Sequence, residues 1–262
     1  MSTIRINELD YSYNDNCIFS DLNYYLKKDK SLSIIGPSGS GKTTLLKLLN
    51  GELEYDGNIS ISGVDVDIDN KNKINEKLAV VYDIDNFVNE KVIDELRYAL
   101  ENINMNPKDI SEKINELYMF FDIKRIINKP ISILSTKDKA LVKILSYAIY
   151  GPEYIGLDDL LGYFDERTKL LLLNYFNFKG IRLINVTSNI EDIIYTDYTI
   201  CLYDKIIAIE GKSLDVVKEE KLLKRLGLSL PFYVDLSIQL KLYGLINKIC
   251  LSKEELVSNI WR

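Results

Sequence analysis

Gly36-Pro37-Ser38-Gly39-Ser40-Gly41-Lys42-Thr43, followed by Thr44, carry the spacing G-x-x-x-x-G-K-[ST]. Residues of these types at this spacing can hold a triphosphate. The glycines let the backbone curl so that several N–H groups point inward, and a helix starting behind them adds partial positive charge. Lys42 would reach the β- and γ-phosphates, and the Thr43 hydroxyl would hold Mg²⁺. Such a loop needs a strand to deliver it and a helix to leave from it. Residues 31–35, Ser-Leu-Ser-Ile-Ile, read as a short buried strand. Residues 44–50 read as an amphipathic helix closed by Gly51, a suitable C-terminal cap. The combination implies a bound nucleoside triphosphate. Hydrolysis depends on groups elsewhere in the chain.

Composition narrows the setting. At 262 residues the chain has the size of one large α/β domain, or of a domain with a small appendage. Hydrophobic content of 47% and charged content of 27% are those of an ordinary soluble globular protein. A formal net charge of −6 argues against a dedicated nucleic-acid binder, and against membrane binding by charge alone. Cys17, Cys201 and Cys250 are far apart and form no C-x-x-C pair, which suits a reducing cytosol. With no histidine, ordinary zinc sites and His-based triads are excluded. The N-terminal Met-Ser-Thr-Ile-Arg-Ile has no apolar signal core, and no run approaches the roughly 18 apolar residues of a membrane span. Service to a membrane would therefore be given from the cytosol, through a partner.

Along the chain, residues 3–9 alternate as a half-exposed strand, and a second strand is expected near 22–26. After the phosphate loop, strands are expected at 58–62 and 77–82. From residue 89 to about 150 the spacing is helical, punctuated by Pro107 and Pro130, and reads as an inserted helical subdomain. Strands resume at 154–157, 181–186, 198–203 and 205–210, with a helix over 167–178. Strands alternating with helices predict a largely parallel sheet wrapped by helices, and after Gly211 the chain turns helical to its end.

The order of these motifs resembles that of ABC transporter ATP-binding subunits, in particular the A subunits of energy-coupling factor (vitamin and metal uptake) transporters, over nearly the whole chain. The resemblance implies an α/β P-loop NTPase (ABC ATPase) fold with a mixed sheet, an inserted helical subdomain and a short C-terminal helical extension. It divides the chain into a nucleotide-binding core (1–88 and 152–218), a helical subdomain (89–151) and an extension (219–262). The extension rests on Leu226, Pro231, Leu236, Leu240, Gly244 and Leu245, which a generic amphipathic helix pair would also explain. ATP and Mg²⁺ are the implied cofactors.

Site residues follow from the same resemblance. Tyr13 stands where an aromatic stacks on adenine, though strand packing would also account for it. Asp83 occupies the place of the family's glutamine, which touches Mg²⁺ or the attacking water and relays to the membrane subunit. An aspartate can ligate Mg²⁺ there, or it can cap a turn. Leu134-Ser135-Thr136-Lys137-Asp138 lies where the family signature is close to L-S-G-G-Q. Ser135 is retained and would contact the γ-phosphate held by the other subunit, while Ser135 with Asp138 also forms a capping-box-like helix start. Lys137 is placed to bring positive charge to that γ-phosphate. Asp158 ends the strand whose carboxylate holds Mg²⁺. Asp159 replaces the glutamate that acts as general base and is one methylene shorter. Asp165 keeps the acidic position of the dimer-contacting loop, and Ser188 replaces the switch histidine.

The resemblance thus implies an intact half for binding ATP (Tyr13, the loop with Lys42 and Thr43, Asp158) and an altered half for splitting it (Asp83, Thr136, Lys137, Asp159, Ser188). The implied partners are a paralogous or identical ATPase subunit and integral membrane subunits, at the cytoplasmic face of the membrane. No nucleic acid is implied. The implied function is an ATP-binding subunit, slowly hydrolysing, that powers uptake of a small nutrient. Two alternatives stay open: an inactive regulatory ATP-binding subunit, and an exporter-type ATPase.

Overall fold

The computed structural model describes residues 3–250 and 252–261. Met1 and Ser2, in the stretch read for a signal core, and Leu251 and Arg262, in the expected extension, lie outside them. The elements run β1 (Ile4–Tyr13), β2 (Asn16–Leu26), β3 (Leu32–Ile35), α1 (Lys42–Leu49), β4 (Asp56–Ile61), β5 (Val64–Asp65), α2 (Lys71–Lys77) and β6 (Leu78–Val81). Then come α3 (Val92–Glu101), α4 (Pro107–Phe120), α5 (Thr136–Ala148), β7 (Tyr154–Asp158), α6 (Glu166–Lys179), β8 (Arg182–Val186), β9 (Tyr198–Tyr203) and β10 (Ile206–Lys212). Four short helices finish the chain: α7 (Ser213–Val216), α8 (Glu220–Arg225), α9 (Phe232–Leu242) and α10 (Lys253–Ile260).

Among the described residues the strands make two sheets. One has the order β10-β9-β3-β8-β7-β6, parallel from β9 to β6 with β10 antiparallel at its edge. Strands β3, β6 and β7 are buried along nearly their whole length, as parallel strands covered by helices must be, so they read as largely apolar runs. The other sheet, β2-β1-β4-β5, is antiparallel. The alternation seen at residues 3–9 does not end there: β1 continues to Tyr13 and β2 begins already at Asn16, making one long hairpin. Asn14 turns that hairpin at φ +50, a conformation asparagine tolerates better than most residues. Helix α2 has no periodic apolar face, only Ile74 buried, and gives no sequence signal.

Three apolar cores hold the layers. One joins α3, α4, α5 and α6 to β6, β7 and β8, through Leu96, Leu117, Leu145, Leu157 and Leu183. A second lies between the two sheets around α1, with Phe19, Ile34, Leu46, Ile59 and Tyr154. The third seats the C-terminal helices on Ile35 and Cys201, at the end of the strand that feeds the phosphate loop. In this last core Leu226 and Leu228 are buried, whereas Leu245 is exposed. Gly156 decides how closely α1 lies on the sheet. A Cβ there would stand 2.8 Å from Leu46 Cδ1 and 3.2 Å from Val80 Cγ2.

Candidate nucleotide site

The loop is shaped by backbone that only glycine adopts cheaply. Gly36 has φ +152, and a Cβ on it would lie 2.4 Å from the Leu202 carbonyl oxygen. Gly41 caps α1 at φ +93, and its missing Cβ would strike Phe19 and Ile18 of β2 at 2.7 and 2.8 Å. The hairpin of β1 and β2 therefore leans directly on the loop. Tyr13 ends β1 at the tip of this hairpin, paired with Asn16. Tyr13 is 41% exposed and stands edge-on to Tyr11, with ring centroids 4.9 Å apart. It packs and remains accessible at once.

Helix α1 starts at Lys42, two residues earlier than the apolar pattern indicates, because Lys42 and Thr43 already take helical geometry behind Gly41. Gly51 follows its C-cap at φ +65 and bonds the Leu48 carbonyl. Lys42 is buried and folds back onto the loop, donating to the carbonyls of Gly36 (2.8 Å) and Pro37 (3.0 Å). Burial pulls its pKa below the usual lysine value, against the opposing charges of Asp159 and Asp158. Ser40 Oγ is buried without a hydrogen-bond partner, while Ser38 and Gly39 are exposed at the loop's crest.

Thr43 Oγ1 donates to Asp158 Oδ2 at 2.7 Å. Burial pushes the Asp158 carboxyl above its ordinary range; the Thr43 hydroxyl opposes this, and the neighbouring Asp159 charge adds to it. Asp159 has left the strand, at φ +55, with its N–H on the Val186 carbonyl (2.8 Å). Its Oδ1 accepts the Ser188 backbone N–H at 3.0 Å. Thr43 at the start of α1 and Asp158 at the end of β7 are thus joined, and Asp159, just past β7, is bonded to Ser188 beyond the end of β8.

Asp83 and Ser135 are not part of that constellation. The Asp83 carboxylate is engaged by its own turn: Oδ1 accepts the N–H groups of Asp85 and Asn86, both at 3.1 Å, and Oδ2 accepts Asn86 Nδ2 at 2.9 Å. These bonds are those of the turn-capping alternative, and the metal role read for Asp83 remains an expectation. Ser135 is the N-cap of α5, accepting from the Asp138 N–H and donating to Asp138 Oδ2 at 2.9 Å. Asp138 is further held by a two-pronged Arg125. Lys137 is paired with Asp165, which itself caps α6 by accepting the Thr168 N–H at 2.8 Å.

The donor set suits a nucleotide·Mg²⁺ complex. Mg²⁺ favours one or two protein oxygens with phosphates and water rather than a dedicated carboxylate cage. Thr43 and Asp158 supply two oxygens, and no group of three or more Cys, Asp or Glu that could hold a metal occurs among the described residues. The unpartnered Ser40 hydroxyl and the Cβ-free cradle at Gly36 and Gly41 are what an anion would use. Two residues that shape the packing around the site carry weak sequence signals. Gly156 could have been found as a glycine inside an apolar strand, which marks close approach. Lys143, a lysine on the apolar side of α5, was passed over as part of that helix.

The family described as ABC transporter is matched over residues 19–161. The energy-coupling factor transporter ATP-binding protein EcfA1 of Mesomycoplasma hyopneumoniae (strain 7448) is 28% identical to this chain, over 99% of it and 97% of that protein. A putative ABC transporter ATP-binding protein of Archaeoglobus fulgidus is 31% identical, over 87% of this chain and 98% of that protein. Among solved structures, CbiO1 of Clostridium perfringens, part of the ABC transporter complex CbiONQ, matches with a TM-score of 0.75 at 23% identity, covering 87% of this chain and 95% of that one. The likeness is one of fold, and the fold is the P-loop NTPase architecture that the motif order implied.

Proposed function

The chain belongs to the ABC transporter family, and we propose that it is an ATP-binding subunit of an energy-coupling factor type transporter, powering uptake of a small nutrient through membrane partners. The Thr43–Asp158 bond of 2.7 Å beside the phosphate loop supports this reading, because it pairs the hydroxyl and the carboxylate that would hold the Mg²⁺ of a bound nucleotide. The near full-length likeness to EcfA1 supports the transporter class.

In this reading Lys42 exchanges the Gly36 and Pro37 carbonyls for phosphate oxygens, and Tyr13 offers its exposed face to adenine. Thr43 and Asp158 would hold Mg²⁺, which when bound would supply positive charge to a triphosphate. Asp159 is the carboxylate left to take a proton from water. It is short and engaged by Ser188 N–H, and Ser188 brings no imidazole, so turnover is slow. Ser135 and Lys137 serve the nucleotide held by a second ATPase subunit, identical or paralogous.

A groove of about 1140 Å³ between the sheet core and α3 and α5, lined by Glu52, Tyr82, Asn86, Glu95, Lys143 and Tyr147 among others, supports docking of a membrane subunit. No helix among the described residues is long and apolar enough to cross a membrane, so attachment to its cytoplasmic face runs through that partner.

Co-expression with the membrane proteins encoded beside it tests the reading. Co-purification with a coupling subunit and a small substrate-binding membrane protein, with ATP-dependent uptake, is expected. Co-purification with an export permease would overturn the uptake assignment.

A further inference from the structure

Lys143 lies in the middle of α5, eight positions after Ser135 and so roughly two turns along the helix. It is 6% exposed and forms no ion pair among the described residues, although the Asp83 carboxylate is close enough to feel its charge. A buried ammonium without a carboxylate is costly unless other groups replace its water. Here its Nζ donates to the Asn86 carbonyl and lies over the rings of Phe87 (4.9 Å to the centroid) and Tyr147 (5.5 Å).

Two of those three partners belong to the loop of residues 83–90. Asn86 is bonded on both sides. Its carbonyl is held by Lys143, while its N–H and side-chain amide hold the two oxygens of Asp83. The second half of the loop is gripped from α3 instead: Glu95, 5% exposed, accepts from Val88 N–H (3.1 Å), Asn89 N–H (2.9 Å) and Asn89 Nδ2 (3.1 Å). One buried cation and one buried carboxylate, on different helices, thus divide the loop between them.

We propose that Lys143 is a positioning residue that locks the Asp83 turn to the helix headed by Ser135, so that loop and helix move as one unit during nucleotide turnover. This rests on the transporter reading only for its consequence in turnover; the lock itself belongs to the isolated chain. Lys143 and Asn86 both line the groove between core and helices, so an occupant of that groove meets the lock directly.

Lys143→Met keeps the length and apolar stem of the side chain and removes the ammonium, while Lys143→Arg restores a cation. In the isolated full-length chain, amide exchange at Asn86 and Asp85 is expected to rise about tenfold in the Met variant, with Val88 and Asn89, held by Glu95, unchanged. The Arg variant returns exchange towards wild type. In the assembled transporter, kcat for ATP falls about tenfold in the Met variant with KM unchanged, and the Arg variant recovers most of it. Unchanged exchange at Asn86, or Met and Arg variants that behave alike, overturns the proposal. Loss of protection at all four amides together also overturns it, because the loop would then be losing structure as a whole. A wild-type complex without ATP-driven uptake would sink the transporter reading while leaving the exchange result to judge the lock.

Discussion

Asp159 Oδ1 accepts the backbone N–H of Ser188 at 3.0 Å, so the carboxylate proposed as general base is tied to the segment proposed as the switch. The left-handed φ of +55 at Asp159 and its N–H bond to Val186 fix where that short carboxylate starts from. A side chain one methylene longer, with an imidazole in place of Ser188, would reach further into the site. The double variant Asp159→Glu, Ser188→His is expected to raise steady-state ATP hydrolysis, on the order of 10²-fold for a restored general base. No gain over wild type would show that the signature substitutions at Thr136 and Lys137, rather than the base, limit turnover.

Thr43→Val removes the hydroxyl that joins α1 to Asp158 while keeping the side chain's shape. In the proposed bound state the lost group is an oxygen ligand of Mg²⁺, and altering a metal's ligand surroundings costs about 10- to 100-fold in affinity. ATP affinity with Mg²⁺ is therefore expected to fall by a factor of that order. Affinity measured in chelator should change little. Calorimetric titration under both conditions checks this, and equal losses with and without Mg²⁺ would contradict a metal role for Thr43.

The Asp158 carboxyl is held above its ordinary value, mainly by burial. The folded state then binds that proton more tightly than the unfolded chain. Its contribution is fully favourable below the unfolded carboxylate pKa, and is lost as pH rises through the folded pKa. At neutral pH the buried charge is a standing cost. Asp158→Asn should make the nucleotide-free chain more stable at pH 7, with the gain shrinking as pH falls towards 4. The same variant should abolish the extra stability that ATP with Mg²⁺ confers by mass action. Denaturant melts across this range, with and without ATP·Mg²⁺, read both effects.

How much of this was legible follows from which signals are local. The phosphate loop and its flanking strand and helix could be read because β3, buried throughout, and α1 each announce themselves within a few residues. The strands β7, β8 and β9 could be read for the same reason. The antiparallel sheet was only half visible, since β2 alternates irregularly around bulges between Ile6 and Ser12 of its partner. Asp83 was ambiguous because both of its readings need the same residue. The bonds that it accepts from the Asp85 and Asn86 N–H groups exist only in the folded turn. Lys143 gave no readable signal, because the carbonyl and the ring that replace its water come from a loop more than fifty positions earlier.

Asn185 exposes a different cost. It is fully buried in β8, registered between Ser33 of β3 and Leu157 of β7, and neither its Oδ1 nor its Nδ2 has a hydrogen-bond partner. Leaving a buried polar group unsatisfied costs about 1–3 kcal/mol. Nearby hydroxyls do not relieve it: Ser33 is bonded to Thr196 at 2.7 Å, and Thr199 to Ser213 at 2.8 Å. Asn185→Leu, close in volume and apolar, is expected to stabilise the chain by about 1–3 kcal/mol, which raises Tm by roughly 2–4 °C per kcal/mol at this size. ATP affinity should be unchanged, since the amide makes no hydrogen bond to Lys42, Thr43, Asp158 or Asp159. An unaltered Tm would mean that a buried water already bonds the amide, and a Tm lowered by the substitution would mean that the site cannot accept a branched side chain.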